Sequence, residues 1–235
     1  MLKKIILISI IAVIILGLNL TVGAYDNSFE VNITQAPGEM KIDANLEEWS
    51  TGTLIASIPQ KASECSGIAY FMYDKNNLYI AGVTRDNTPM KNANINTRNC
   101  WNGDALEIYI STSSGSDPER TSYNETDRQI GLVFGETVHT WCWQLEGKIK
   151  NAKIVAKIIE SDRENAPTGY TFEAKIPLES INPDFNLKPG MEIGFASDYS
   201  FGNKEGVREV QPSWNAGQEP GFHANPSYWG IAKIK

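Results

Sequence analysis

The sequence predicts an all-β domain, an antiparallel β-sandwich of two packed sheets, immunoglobulin-like or jelly-roll in type. Short runs rich in β-branched and aromatic residues recur between turn signals, and stretches with helical periodicity are almost absent. The 235 residues, less an N-terminal leader, also match the upper size of one sandwich domain, with no internal repeat or linker to divide them.

The chain opens MLKKIILISIIAVIILGLNLTVGA. Lys3 and Lys4 precede an apolar run from Ile5 to Leu20, and Val22 and Ala24 stand at the positions a signal peptidase prefers. Residues 1–24 therefore read as a secretory signal peptide and residues 25–235 as the single mature domain. The apolar run is shorter than the ~20 residues of a membrane span, so no membrane association is expected after cleavage.

The strands follow in order. FEVNI at 29 is the first. GIAYFMYD at 67 and NLYIAGVTRD at 77 flank a turn over Asp74 to Asn77 and make the clearest antiparallel hairpin. ALEIYIS at 105, QIGLVF at 129 and VHTWCWQ at 138 come next, the last with Trp141 and Trp143 on one face and Cys142 on the other. KIKNAKIVAKIIESDREN from 148 has near-helical apolar spacing, but its Ile and Val content favours a strand. YTFEAKI at 170, a short helical turn LESI at 178–181 after Pro177, and MEIGFASDYS at 191 complete the pattern. Two polar loops, 86–99 and 113–127, bracket the 105–111 strand. Loops on a rigid sandwich are where binding groups collect.

The formal net charge is −7, and loss of Lys3 and Lys4 with the leader makes the mature chain two units more acidic. Without a basic cluster, such a chain repels phosphate backbones, so nucleic acid is excluded as a partner. Cys65, Cys100 and Cys142 allow either one disulfide with a thiol left over or three buried thiols. No CxxC, CxxCH or His-rich spacing supports zinc or covalently attached haem.

The stretch NCWNGDALEIYIST, residues 99–112, concentrates the chemistry. Alternation from Ala105 to Ser111 sends Leu106, Ile108 and Ile110 to the core and Glu107 and Tyr109 to the opposite face, just downstream of Trp101. An acid flanked by aromatic rings on a sheet face suits a sugar. The rings stack on the pyranose, and the carboxylate accepts neighbouring hydroxyls. A glycosidase needs two carboxylates facing one bond. Asp104 and Glu107 lie three positions apart, so strand parity separates them, and Asp104 is expected to bond backbone amides at the turn, with calcium ligation as the alternative. The two histidines, His139 and His223, and the absence of a G-x-S-x-G elbow leave no nucleophile–base arrangement.

Five ordered segments carry a family resemblance: IDANLEEW at 42–49, YDKNNLYIAGVTRD at 73–86, WNGDALEIYI at 101–110, GYTFEAKIPLESI at 169–181 and SYWGIAKIK at 227–235. From Ile42 to Lys235 the chain resembles the family 9 carbohydrate-binding modules, which are similar in fold to DOMON domains. The resemblance implies a non-catalytic β-sandwich, often appended to xylanases, that holds a saccharide end between two tryptophans and binds structural calcium. It carries the first clamp tryptophan to Trp101, the ligand-bonding glutamate to Glu107, and the family's D-x-Q segment to Asp127 and Gln129. The arginine and asparagine that follow in the sugar binders fall near Gly131 and Val133. The second clamp position falls on Phe222 or His223, with Trp214 and Tyr228 as nearby aromatic substitutes.

The expected function is thus a secreted, extracellular, non-catalytic carbohydrate-binding module for plant or cell-wall oligo- or polysaccharide. Its ligand-binding residues are Trp101, Glu107, Gln129, Phe222, His223, Trp214 and Tyr228. Calcium is its one implied cofactor, with no metal ligands assigned. Two functions compete with it: a haem-binding DOMON-like redox domain, drawing on Met72, Met90, His139 and His223, and a glycoside-active enzyme. Trp49, Tyr79 and Trp229 are expected to pack in the interior.

Overall fold

Strand alternation in the 66–85 hairpin sets the pattern for the molecule. Asp74 nucleates its turn: Oδ1 accepts the backbone N–H of Asn76 and Asn77, both at 2.7 Å, and Oδ2 accepts the Tyr79 hydroxyl at 2.6 Å. The computed structural model describes residues 30–49, 53–57, 65–112, 120–159, 169–214 and 221–235. The leader and residues 113–119 of the 113–127 loop lie outside those residues.

The strands are β1 (Glu30–Gln35), β2 (Thr53–Ser57), β3 (Ser66–Tyr73), β4 (Asn77–Arg85), β5 (Ala105–Ser111), β6 (Asp127–Val133), β7 (His139–Cys142), β8 (Lys153–Ile159), β9 (Gly169–Pro177), β10 (Glu192–Gly202), β11 (Arg208–Val210) and β12 (Gly230–Ile234). The one α-helix among the described residues is the turn α1 (Leu178–Ile181). The hydrogen-bonded order is β7-β6-β5-β10-β12-β1-β3-β4-β9-β8, with β11 on β10 and β2 on β3. β1 joins the two layers, pairing β12 through its first half and β3 through Thr34 and Gln35. The sandwich is therefore as expected, but β1 runs parallel to both neighbours. It meets strands remote in sequence, so no hairpin dictates its direction.

The core lies between the layers. Leu106, Ile108 and Ile110 of β5 and Ile130 and Leu132 of β6 meet Phe71, Ile80 and Phe172 of the other sheet, all at most 1% exposed. Each such burial contributes about 1.5–3 kcal/mol. Phe71 packs edge-on against Phe195 at 5.2 Å, which couples β3 to β10. A Cβ at Gly82 would sit 2.3 Å from the Phe172 ring, so glycine lets that ring cross β4. Trp49, Tyr79 and Trp229 are interior, as expected.

Three elements differ from the sequence expectation. The 138–144 strand stops at Cys142, where Cys142 and Gly147 bridge and the chain reverses through a 3-10 turn, Trp143–Leu145, so Trp141 and Trp143 do not share a strand. β2 and β11 are additional; β11 is only three residues long and attaches beside an irregularity at Phe201 and Gly202. Of the two cysteine alternatives the second holds, with Cys65, Cys100 and Cys142 each buried as thiols.

Candidate functional site

The parity that buries Leu106, Ile108 and Ile110 turns Glu107 and Tyr109 to the outer face of the first sheet. Across that face the register aligns Trp141 of β7, Gly131 of β6, Glu107 of β5 and Asp198 of β10 in one row. Glu107 is 2% exposed. Its Oε2 accepts the Tyr109 hydroxyl at 3.0 Å and its Oε1 accepts the Gln129 amide at 3.1 Å. Each oxygen keeps a lone pair for a further donor. Burial raises the Glu107 carboxyl above the usual range, while the Tyr109 and Gln129 donors and Arg208 act against it. Asp198, fully buried beside it and accepting from the Gln211 amide, is pushed well up by burial and by Glu107.

The loop carrying Trp101 is pinned by Asp104. Its Oδ2 accepts the Lys91 N–H at 2.9 Å and its Oδ1 the Gly202 N–H at 2.6 Å, as strand parity predicted for an acid facing away from Glu107. Burial of this carboxyl pushes it up to about 7. Asn102 Oδ1 accepts the Arg208 backbone N–H at 3.3 Å, tying the loop to β11. The Arg208 guanidinium then lies over the Trp101 ring, 4.5 Å from its centroid.

Trp143 forms a second wall. A Cβ at Gly131 would stand 3.0 Å from its ring, so the space beside Glu107 that a side chain at 131 would fill holds the Trp143 indole. The indole N–H donates to the Arg98 carbonyl at 3.0 Å. The third wall is the 3-10 turn Phe222–Ala224. Phe222 rests edge-on against Tyr109 at 5.4 Å and is 7% exposed, whereas His223 is exposed.

These groups enclose a cavity of about 590 Å³ lined by Trp101, Glu107, Gln129, Phe222 and His223 together with Trp143, Arg98, Asn99, Arg208, Gln211 and Ser213. Five of the seven residues expected from the sequence thus converge. Trp214 and Tyr228 do not line it: Trp214 turns inward against Phe195 at 5.7 Å, and Tyr228 packs on the Tyr109–Phe222–Trp229 cluster. Phe222 is a wall packed into the interior rather than a free clamp.

The cavity has one acid among its described lining residues, Glu107. A two-carboxylate mechanism requires a second that reaches the ligand, and Asp198, 0% exposed, does not line the cavity. The residues that haem would need are dispersed. His139 is buried with its ring nitrogens against the carbonyls of Thr140 and Ile95, and Met72 sits in a separate core cluster. For calcium, Asp104 has both oxygens on backbone N–H donors, and no group of three His, Cys, Asp or Glu side chains clusters among the described residues.

The sequence reading missed Arg208, Gln211, Asp198, Arg98, Asn99 and Ser213. Asp198 left a signal: a charged residue in the middle of a strand buried on both faces. Arg98 and Asn99 close the 86–99 loop, which the sequence marks as a place for binding groups without singling out either side chain. Arg208 had no signal, because β11 is too short to show periodicity.

Residues 42–235 match the family described as carbohydrate family 9 binding domain-like. A curated relative, the exoglucanase XynX of Acetivibrio thermocellus, is 25% identical over 159 residues, 68% of this chain but 11% of that protein. The chain therefore spans about a ninth of that relative's length. A family 9 carbohydrate-binding module of Caldicellulosiruptor kristjanssonii, solved with cellotriose, superposes with a TM-score of 0.68 at 18% identity, covering 88% of this chain and 94% of that one. The module from the same organism solved with glucose gives 0.66 at 20% identity, covering 87% and 95%. Among the described residues no helix is long and apolar enough to cross a membrane.

Proposed function

The chain belongs to the carbohydrate family 9 binding domain-like family, and from that premise we propose that it is a secreted, non-catalytic module that binds oligo- or polysaccharide in the Trp101–Glu107–Gln129 cavity. The observation that carries this function is the cavity's composition. Indole and phenyl surfaces of Trp101, Trp143 and Phe222 surround a carboxylate–amide pair, Glu107 and Gln129, held at 3.1 Å. Aromatic surface takes the C–H face of a sugar ring, and the pair receives adjacent hydroxyls. Glu107 is fixed by Tyr109 and Gln129 before any ligand arrives, so binding requires little ordering of this group.

The complexes of the similar modules make β-linked glucose oligomers the first ligands to try, and a 24%-identical xylanase of Thermoanaerobacterium saccharolyticum makes xylose oligomers the next. Isothermal titration of the folded protein with cellobiose, cellotriose and xylobiose is expected to give saturable binding to at least one. Trp101→Ala is expected to weaken that binding at least tenfold with an unchanged far-UV spectrum. Absence of binding to these and to a broad glycan array would overturn the proposal. Release of reducing sugar from polysaccharide would replace it with an enzymatic function.

A further inference from the structure

Arg208 stands out in a chain with 28 Asp and Glu against 21 Lys and Arg. Among the described residues no carboxylate lies within ion-pair distance of its guanidinium, and its recorded side-chain contact is the face of Trp101. A guanidinium held over an aromatic ring has its N–H donors in its own plane, where a planar oxyanion can meet them bidentately. Arg98 lines the same cavity and is ion-paired to the exposed Glu146 at 3.3 Å, a solvent-screened link that a ligand can replace at small cost.

The two buried acids nearby are hydrogen-bonded elsewhere. Glu107 accepts from Tyr109 and Gln129 and Asp198 from Gln211, and although both feel the charge of Arg208, neither forms an ion pair with it. Burial and Arg208 likewise hold His223 below its ordinary value. The rest of the polar lining, Asn99, Gln129, Gln211 and Ser213, is uncharged and suited to hydroxyls. A neutral sugar would use the hydroxyl-binding groups and leave Arg208 without an anion in a half-enclosed site.

We propose that the cavity recognises a carboxylate-bearing saccharide, with Arg208, stacked on Trp101, and Arg98 receiving the carboxylate while Glu107 and Gln129 take hydroxyls. This inference rests on the saccharide-binding function proposed above and names the ligand class of the same site. The carboxylate can come from a uronic acid, in which it replaces the exocyclic hydroxymethyl group, or from an aldonic acid at an oxidised chain end.

The test is isothermal titration of the full folded chain at pH 7 and low salt with matched pairs. Glucuronosyl-xylose is compared with glucosyl-xylose for the uronate source, and cellobionic acid with cellobiose for the aldonate source. At least one acid is expected to bind ten times or more tighter than its neutral partner. That advantage is expected to shrink severalfold in 500 mM NaCl and to fall toward unity in Arg208→Gln, with Arg208→Lys intermediate because it keeps charge but loses the planar fork. If Arg208→Gln does not fold, the wild-type ratio and its salt dependence decide alone. Neutral sugars binding as well as the acids would overturn this inference while leaving the binding function standing. No binding of either kind would overturn both.

Discussion

Asp104→Asn changes one atom in a carboxyl that holds the Trp101 loop to the end of β10, and its consequence can be worked from the structure. Burial holds the Asp104 carboxyl up at about 7 against an ordinary 3.8. Between those values the folded chain keeps a proton that the unfolded chain has released. Its contribution to stability is therefore full near pH 4 and is lost as pH rises to about 7. Three pKa units correspond to about 4 kcal/mol, or about 10 °C in Tm for a domain of this size. Glu107 and Asp198, also raised by burial, act in the same direction. Asp43 and Asp74, held below 3.8 by their hydrogen bonds, act only below this window. His223, lowered by burial, opposes the trend below pH 6.5, so the wild-type profile alone does not isolate Asp104.

The variant does isolate it. Asparagine offers one acceptor to two backbone N–H donors, which lowers stability by about 1–3 kcal/mol at every pH, but it does not titrate. The fall in Tm from pH 4.5 to pH 8, followed by differential scanning calorimetry, is expected to be about 10 °C smaller in Asp104→Asn than in the wild type. Parallel profiles for the two proteins would refute the reasoning.

Glu107→Ala leaves the Tyr109 hydroxyl and Gln129 amide without their acceptor, and denaturant unfolding is expected to register a loss of about 1–3 kcal/mol together with lost glycan binding. Gly131→Ala brings a methyl 3.0 Å from the Trp143 ring. It is expected to cost about 1–2 kcal/mol and to change the near-ultraviolet tryptophan signal, while an unchanged signal would count against Trp143 lying across β6. Cys65, Cys100 and Cys142 are buried thiols, Cys100 raised to about 12 by burial. A thiol reagent is therefore expected to react with none of them in the native protein and with all of them in guanidinium chloride, whereas a reagent-resistant pair after unfolding would reveal a disulfide.

Much of this was legible in the sequence where a single strand carries its own parity. The 105–111 alternation separated Glu107 from the core and from Asp104, and the hairpin around Asp74 was readable from its turn residues. The same alternation failed at Trp143, because a reversal after Cys142 depends on Gly147 and on the indole finding Gly131 across the sheet. No local period encodes that contact. Arg208 and Gln211 reach the cavity from a three-residue strand and its extension alongside β10, and their position is set by an irregular pairing at Phe201 and Gly202 and by the Asn102 contact with Arg208, neither of which a local period encodes. Trp214 and Tyr228 were expected at the site on sequence proximity to Phe222, but core packing against Phe195 and Tyr109 holds them elsewhere.

The central claim is that saccharide occupies the cavity between Trp101 and the Phe222–Ala224 turn. A crystal structure of the protein with its tightest-binding oligosaccharide tests it most directly. A terminal sugar ring against the Trp101 wall, with hydroxyls on Glu107 and Gln129, is the predicted result. A saccharide seated on another face, with this cavity left to solvent, would contradict it.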